Sequence, residues 1–157
     1  MKFEWYIIAK YYPVLLQGLL TTVQYTLIAV VTSFCFGVIV SIIRTLKFPI
    51  ISKLFDYYVV FFRETPLLVQ LYFIFFGLPT MGVILSAEIS AILAITLNEG
   101  AFISEIIRGG VESISKGQKD AAKALSLNNL QIIRYIILPQ ALLNVIPSLV
   151  GHSSYII

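Results

Sequence analysis

The sequence predicts an all-α integral membrane protein, and three observations predict it. Hydrophobic residues make up 59% of the 157 positions and charged residues only 12%, about half the charged fraction of a soluble domain. Mean hydropathy is +0.92. The apolar stretches outrun core strands and core helices and reach the roughly 20 residues that a membrane helix needs. Four such stretches are present, so four transmembrane helices are predicted.

Residues 1–13 mix aromatic and charged side chains and read as an extracytoplasmic interfacial segment. Trp5, Tyr6, Tyr11 and Tyr12 suit the membrane–water boundary. No cleavable signal is evident, because the apolar run that follows is too long for a signal core. That run, Val14 to Ile43, holds 30 residues without a charge. A straight helix of that length exceeds the roughly 30 Å hydrocarbon core, so it must tilt or leave one end in the interface. Arg44, Lys47 and Lys53 follow, and Pro49 is expected to mark a break. The second stretch, about 57–78, carries Arg63-Glu64-Thr65-Pro66 near its start. Gly77, Pro79 and Gly82 signal its end. The third, about 86–107, contains Asn98, Glu99 and Glu105. After the polar segment 108–134 comes the fourth, 136–157, where Pro139 and Pro147 are expected to kink the helix.

Basic residues orient these crossings. The segment 44–63 holds four Lys or Arg, 78–88 none and 108–134 five. Basic loops stay in the cytoplasm. The N-terminus is therefore expected outside, with cytoplasmic loops at 44–63 and 108–134. The net charge of +3 follows from this loop bias and is no sign of a nucleic-acid partner.

The second cytoplasmic loop, about 109–135, has helical punctuation of its own. Ser115 and Gln118 have capping-box spacing, and Asn128 and Gln131 repeat the logic. Ser126 interrupts the pattern between them. Two short helices meeting at an angle are predicted. Ala121, Ala122 and Ala124 would let a partner's surface come close to the first helix, with Lys119, Asp120 and Lys123 at the rim. Spacing alone leaves a plain solvated loop equally open.

Longer motifs decide between these readings. Asp120-Ala121-Ala122, a turn near Ser126, and Ile137-Leu138-Pro139 resemble the EAA loop of bacterial ABC importer permeases. Phe62-Arg63-Glu64-Thr65-Pro66-Leu67-Leu68-Val69-Gln70 resembles the signature of the polar amino-acid members. Glu105-Ile106-Ile107-Arg108-Gly109-Gly110, Leu138-Pro139-Gln140-Ala141-Leu142, Leu16-Gln17-Gly18 and Thr22 fit the same subfamily. The resemblance runs from about residue 12 to the end, with its motifs in order. It implies that the loop forms coupling helices that dock into an ATPase subunit, through Asp120, Ala121, Ala122, Ala124, Leu125, Ser126 and Pro139. It also implies a bacterial cytoplasmic-membrane location, a substrate-binding protein, a second permease copy or paralogue, and an amino-acid substrate. ATP and magnesium would be bound by the ATPase. Four positions depart from the pattern: Glu64 stands for the usual Gly, Asp120 for Glu, Ser126 for Gly and Ser115 for a frequent Pro. The chain also stops inside its fourth crossing, where the family has at least one further helix, and so reads as truncated.

The intramembrane polar residues have two readings each. Asn98 and Glu99 lie near or below the midplane, where a carboxylate costs about 2.5–3.5 kcal/mol on insertion scales. They face either the substrate pathway or a packing partner. The aligned position of Glu99 in the subfamily is commonly small or neutral, so its charge points to basic or zwitterionic rather than acidic amino acids. Arg63 and Glu64 are placed at the cytoplasmic start of the second helix, as an anchoring pair or a gate. Glu105 and Arg108 are three apart and can pair. His152 reads as a satisfied core histidine, and Cys35 as a small buried residue.

Absences narrow the chemistry. No G-x-x-x-x-G-K-[ST] phosphate loop, no metal-ligand spacing and no Ser/Cys–His constellation occurs. The chain is read as a transport subunit rather than an enzyme, with no metal or cofactor of its own. A secondary transporter or channel would show inverted repeats, and none is seen. A non-transporting membrane scaffold would not account for the ordered motifs.

Overall fold

The computed structural model describes residues 5–45 and 50–153, with side chains for 10–45 and 50–152. Lys47, Pro49 and the side chains of Trp5 and Tyr6 lie outside the described residues, as do the last four positions of the fourth apolar run. The described chain is helical: α1 Trp5–Thr45, α2 Ile51–Glu64, α3 Leu67–Thr80, α4 Ala87–Glu112, α5 Lys116–Ala124 and α6 Asn129–His152. Three helices are long and apolar enough to cross a membrane, Lys10–Thr45, Ala87–Glu112 and Asn129–His152. The α2–α3 pair makes a fourth crossing if its halves form one span.

α1 runs unbroken through Pro13, so no helix break marks the end of the N-terminal segment. From Lys10 to Gln24 its side chains are exposed, while the part from Tyr25 onward packs against α4. The pairing rises together on both helices, Thr32 with Thr96 and Arg44 with Ser104, so the two run parallel. Small side chains make this approach feasible. Ala29, Ser33, Gly37 and Ser41 recur every four residues on α1 and are buried, as are Ser90, Ala94, Gly100, Ala101 and Ser104 on α4. A Cβ added at Gly37 would lie 2.7 Å from Ile103 Cβ, and one at Gly100 would lie 2.7 Å from Phe36 Cδ1. Packing contacts of this kind drive helix association in lipid, where apolar burial supplies no force.

The second apolar stretch differs from its expectation. It begins at Ile51 and is not one helix: α2 and α3 meet at Thr65–Pro66 with a bend of 106°. Pro66 causes this. Its ring disfavours a helical conformation at the preceding residue, and Thr65 is extended at φ −103°, ψ 137°. Arg63 and Glu64 therefore close the last turn of α2 and do not open a helix.

The fourth run is helical through both prolines. The accommodation is a π turn at Ile133–Ile137, immediately before Leu138-Pro139. α3 repeats the device, with a π turn at Phe73–Gly77 before Leu78-Pro79. A wider turn relieves the clash between a proline ring and the carbonyl four residues earlier. Gly77, read as a terminator, thus sits inside a helix that continues to Thr80.

Candidate functional site

The bend at Thr65–Pro66 strips backbone carbonyls of their helical partners, and two amides replace them. Gln70, 6% exposed, donates from Nε2 to Phe62 O at 3.0 Å, Thr65 O at 3.0 Å and Thr65 Oγ1 at 2.6 Å. Asn98 Nδ2 reaches across from α4 to Phe62 O at 2.8 Å. The Tyr58 hydroxyl donates to Leu97 O. The first of the two predicted pathway residues thus holds the broken helix. A largely apolar cleft of about 440 Å³ opens beside the bend, lined by residues that include Gln70, Phe61, Phe73 and Leu97.

Glu99, next along α4, is 9% exposed and turns toward α6. Its Oε2 lies 2.6 Å from His152 Nε2, so the imidazole bridges α4 and α6. This supplies the compensation that an intramembrane carboxylate requires. The Phe102 ring stands 5.1 Å from the His152 ring on one side, and the Arg63 guanidinium lies 5.4 Å from the Phe102 centroid. Arg63 also approaches Glu105 at 3.8 Å. Glu99, Phe102 and Glu105 thus form a ladder at three-residue spacing on α4, contacted by α6 at one end and α2 at the other. Glu64 is exposed beyond it.

Glu105 is the centre of a charge cluster wider than its expected pair. It accepts from Arg108, and from Arg44 Nη1 at 2.9 Å. Arg44 also donates from Nε to Asp56 at 2.7 Å and from Nη1 to Ser104 Oγ at 3.1 Å. Arg108 reaches Glu112 at 2.5 Å. One arginine, 11% exposed, thereby ties the end of α1 to α2 and α4. Sequence reading missed Arg44 and Asp56 as partners. The available signal was that Arg44 ends the first apolar run and Glu105 lies near the end of the third.

The segment between α4 and α6 holds one short helix, α5, and the second helix expected there is the start of α6, which runs on from Asn129 into the fourth apolar run. Ser115 Oγ caps α5, accepting from Gln118 N at 3.4 Å. Asn128 and Gln131 complete a reciprocal capping box, both bonds at 2.9 Å. Between them Ser126 adopts φ 59°. Ser126 N donates to Lys123 O at 2.9 Å and Leu127 N to Ala122 O at 3.2 Å, which is the Schellman closure usually made with glycine. Side-chain directions sort the predicted contact residues. Ala122 is 3% exposed and packs within the chain. Asp120, Ala121, Ala124, Leu125 and Ser126 face outward, and Leu125 and Leu130 are 76% and 73% exposed. Pro139 is exposed on α6.

Residues 33–157 match the family model for the binding-protein-dependent transport system inner membrane component. The chain is 38% identical over 147 residues to a putative glutamine transport system permease protein of Rickettsia prowazekii (strain Madrid E), covering 91% of this chain and 67% of that protein. It is 40% identical over 136 residues to a probable glutamine ABC transporter permease protein of Bacillus subtilis (strain 168), covering 87% and 62%. An arginine transport system permease protein of the same Bacillus strain is 35% identical over 141 residues, covering 89% and 64%. The chain thus spans about two thirds of the length of these relatives. A solved structure, that of an amino acid ABC transporter with histidines, superposes with a TM-score of 0.86 at 29% identity, covering 99% of this chain and 76% of that one.

Proposed function

The chain belongs to the family of binding-protein-dependent transport system inner membrane components, and from that premise we propose that it forms the amino-acid pathway of an ATP-driven importer. It is a multi-pass inner-membrane protein and a non-enzymatic permease subunit. Hydrolysis takes place on a separate ATPase subunit, which binds the ATP and its magnesium. A binding protein delivers substrate from outside, and a second permease copy or paralogue completes the pathway. The N-terminus lies outside, and the loop 109–135 is cytoplasmic.

The observation that carries this reading is the loop itself. It presents an exposed face of small side chains, Ala121 and Ala124, ending in exposed Leu125. Such a face lets another protein's surface approach the backbone of α5, and its exposed leucine gives that partner apolar area to cover. The closure at Ser126 ends α5 and the capping box at Asn128 starts α6, so the turn between the two helices is defined at both ends. A turn closed at both ends by hydrogen bonds can pass a push on, which a solvated loop cannot. ATP binding draws the ATPase pair together, the loops move with it, and access alternates between the two sides of the membrane.

The proposed cargo is a polar amino acid. Glu99 gives the pathway a carboxylate in a region of low dielectric, where a basic substrate is attracted and an acidic one repelled. His152 engages one of its oxygens, so substrate ammonium or guanidinium would compete with, or add to, that contact. The test is ATP-dependent uptake into proteoliposomes holding the chain, its ATPase and its binding protein. Arginine, glutamine and glutamate are compared. Glu99→Gln is expected to lower arginine uptake about tenfold, the size of one lost charge-assisted hydrogen bond, while glutamine uptake changes little. Equal behaviour of all three substrates, in the parent and the variant, would make Glu99 purely structural.

A further inference from the structure

Gln140, Asn144, Ser148 and His152 recur every four residues on α6. Four residues are slightly more than one helical turn, so they form one slowly winding stripe about 18 Å long. Three of them bond to the rest of the chain. Gln140 Nε2 donates to Gln118 Oε1 on α5 at 2.6 Å. Asn144 Nδ2 donates to Ser113 Oγ at the end of α4, at 2.8 Å. His152 meets Glu99 at 2.6 Å. The stripe therefore joins the loop at one end to the intramembrane carboxylate at the other.

Packing alone does not call for these bonds. α6 already seats on α4 through buried Ala141 and Val145, and Val145 lies so close over Gly110 that a Cβ there would overlap it. The first contact also overrides a local preference. Spacing would return the Gln118 side chain to the Ser115 backbone, to complete a capping box. Instead its carbonyl oxygen accepts from Gln140, whereas the equivalent Gln131 does close its box on Asn128. A local rule broken in one of two matching places marks a functional demand.

We infer that the Gln118–Gln140 bond is the latch through which movement of α5 is passed to α6, and that α6 carries it along the stripe to the Glu99–His152 contact. Gln118 and Gln140 are positioning residues: they touch neither substrate nor ATP. The inference rests on the importer reading above.

The experiment uses the assembled importer in proteoliposomes, measuring ATP hydrolysis and amino-acid uptake together. Gln118→Leu and Gln140→Leu are each expected to keep the ATPase bound and hydrolysis within about twofold of the parent. Uptake per ATP should fall about fivefold, the size of one broken hydrogen bond. The double variant Gln118→Glu with Gln140→Lys restores an acceptor and a donor, and should recover most of the coupling. Gln118→Ala, on an exposed position of α5, should behave like Gln118→Leu and guards against misfolding of α6. Hydrolysis and uptake that stay equal to the parent, or that fall in proportion, would overturn the latch. So would failure of the Glu–Lys pair to recover coupling. A parent complex that hydrolyses ATP yet moves no amino acid would instead overturn the importer reading, and is recognised before any variant is made.

Discussion

At the scale of single residues, the molecule depends on small side chains where helices cross and on paired charges where they end. Gly37 shows the first dependence. Ile103 stands where its Cβ would be, so Gly37→Leu cannot be absorbed by a rotamer change and must separate α1 from α4. Overpacking of this kind costs about 1–3 kcal/mol. A lower midpoint of thermal unfolding in detergent is expected, while Gly18→Leu, with nothing within 4 Å, should leave the midpoint unchanged. An equal effect of both substitutions would mean that the α1–α4 contact contributes nothing. Single-residue roles were the part least legible in sequence. Asn98 and Glu99 stand out as polar residues in an apolar run, but nothing local says that one would mend the α2–α3 break and the other meet a histidine 53 positions away. Gln70 ends the Phe62–Gln70 motif and gave no separate signal, because its task exists only once Thr65 leaves the helix. Ala122 looks like its alanine neighbours in sequence, and only the turn of α5 shows that it faces inward.

At the scale of elements, punctuation proved more readable than continuity. The caps at Ser115 and Asn128 and the interruption at Ser126 follow from side-chain chemistry within four residues, and the structure contains each of them. Prolines were legible as perturbations but not in their effect. Pro66 breaks a span that hydropathy read as continuous, whereas the helix runs on through Pro139 and Pro147. The difference is local: an extended residue precedes Pro66, and a π turn precedes Pro139. Ser126 offers a direct test of loop rigidity. A side chain in the left-handed region costs about 1 kcal/mol relative to glycine. Ser126→Gly is thus expected to slow proteolytic nicking of the loop between α5 and α6, and Ser126→Val to accelerate it. The reverse order would show that the closure at Leu127 does not form.

At the scale of the whole molecule, hydropathy carries the helical architecture, and the parallel packing of α1 on α4 agrees with the topology expected from loop charge. Two helices running in one direction must have their beginnings on the same face of the membrane. In intact cells, Met81→Cys is expected to react with an impermeant thiol reagent and Lys119→Cys to be protected, with Cys35 replaced in both. The opposite pattern would invert the orientation and move the loop away from any ATPase. The account's central claim is that the exposed face of α5 is where an ATPase docks, and one measurement addresses it most directly. The chain is affinity-purified from membranes with its candidate ATPase, and retained ATPase and ATP hydrolysis are quantified for the parent and for Ala121→Asp. The account expects the parent to hold the ATPase, and Ala121→Asp to insert into the membrane at the parent's level but lose the ATPase. Retention of the ATPase by Ala121→Asp with hydrolysis unchanged, or a parent that holds no ATPase, would contradict it.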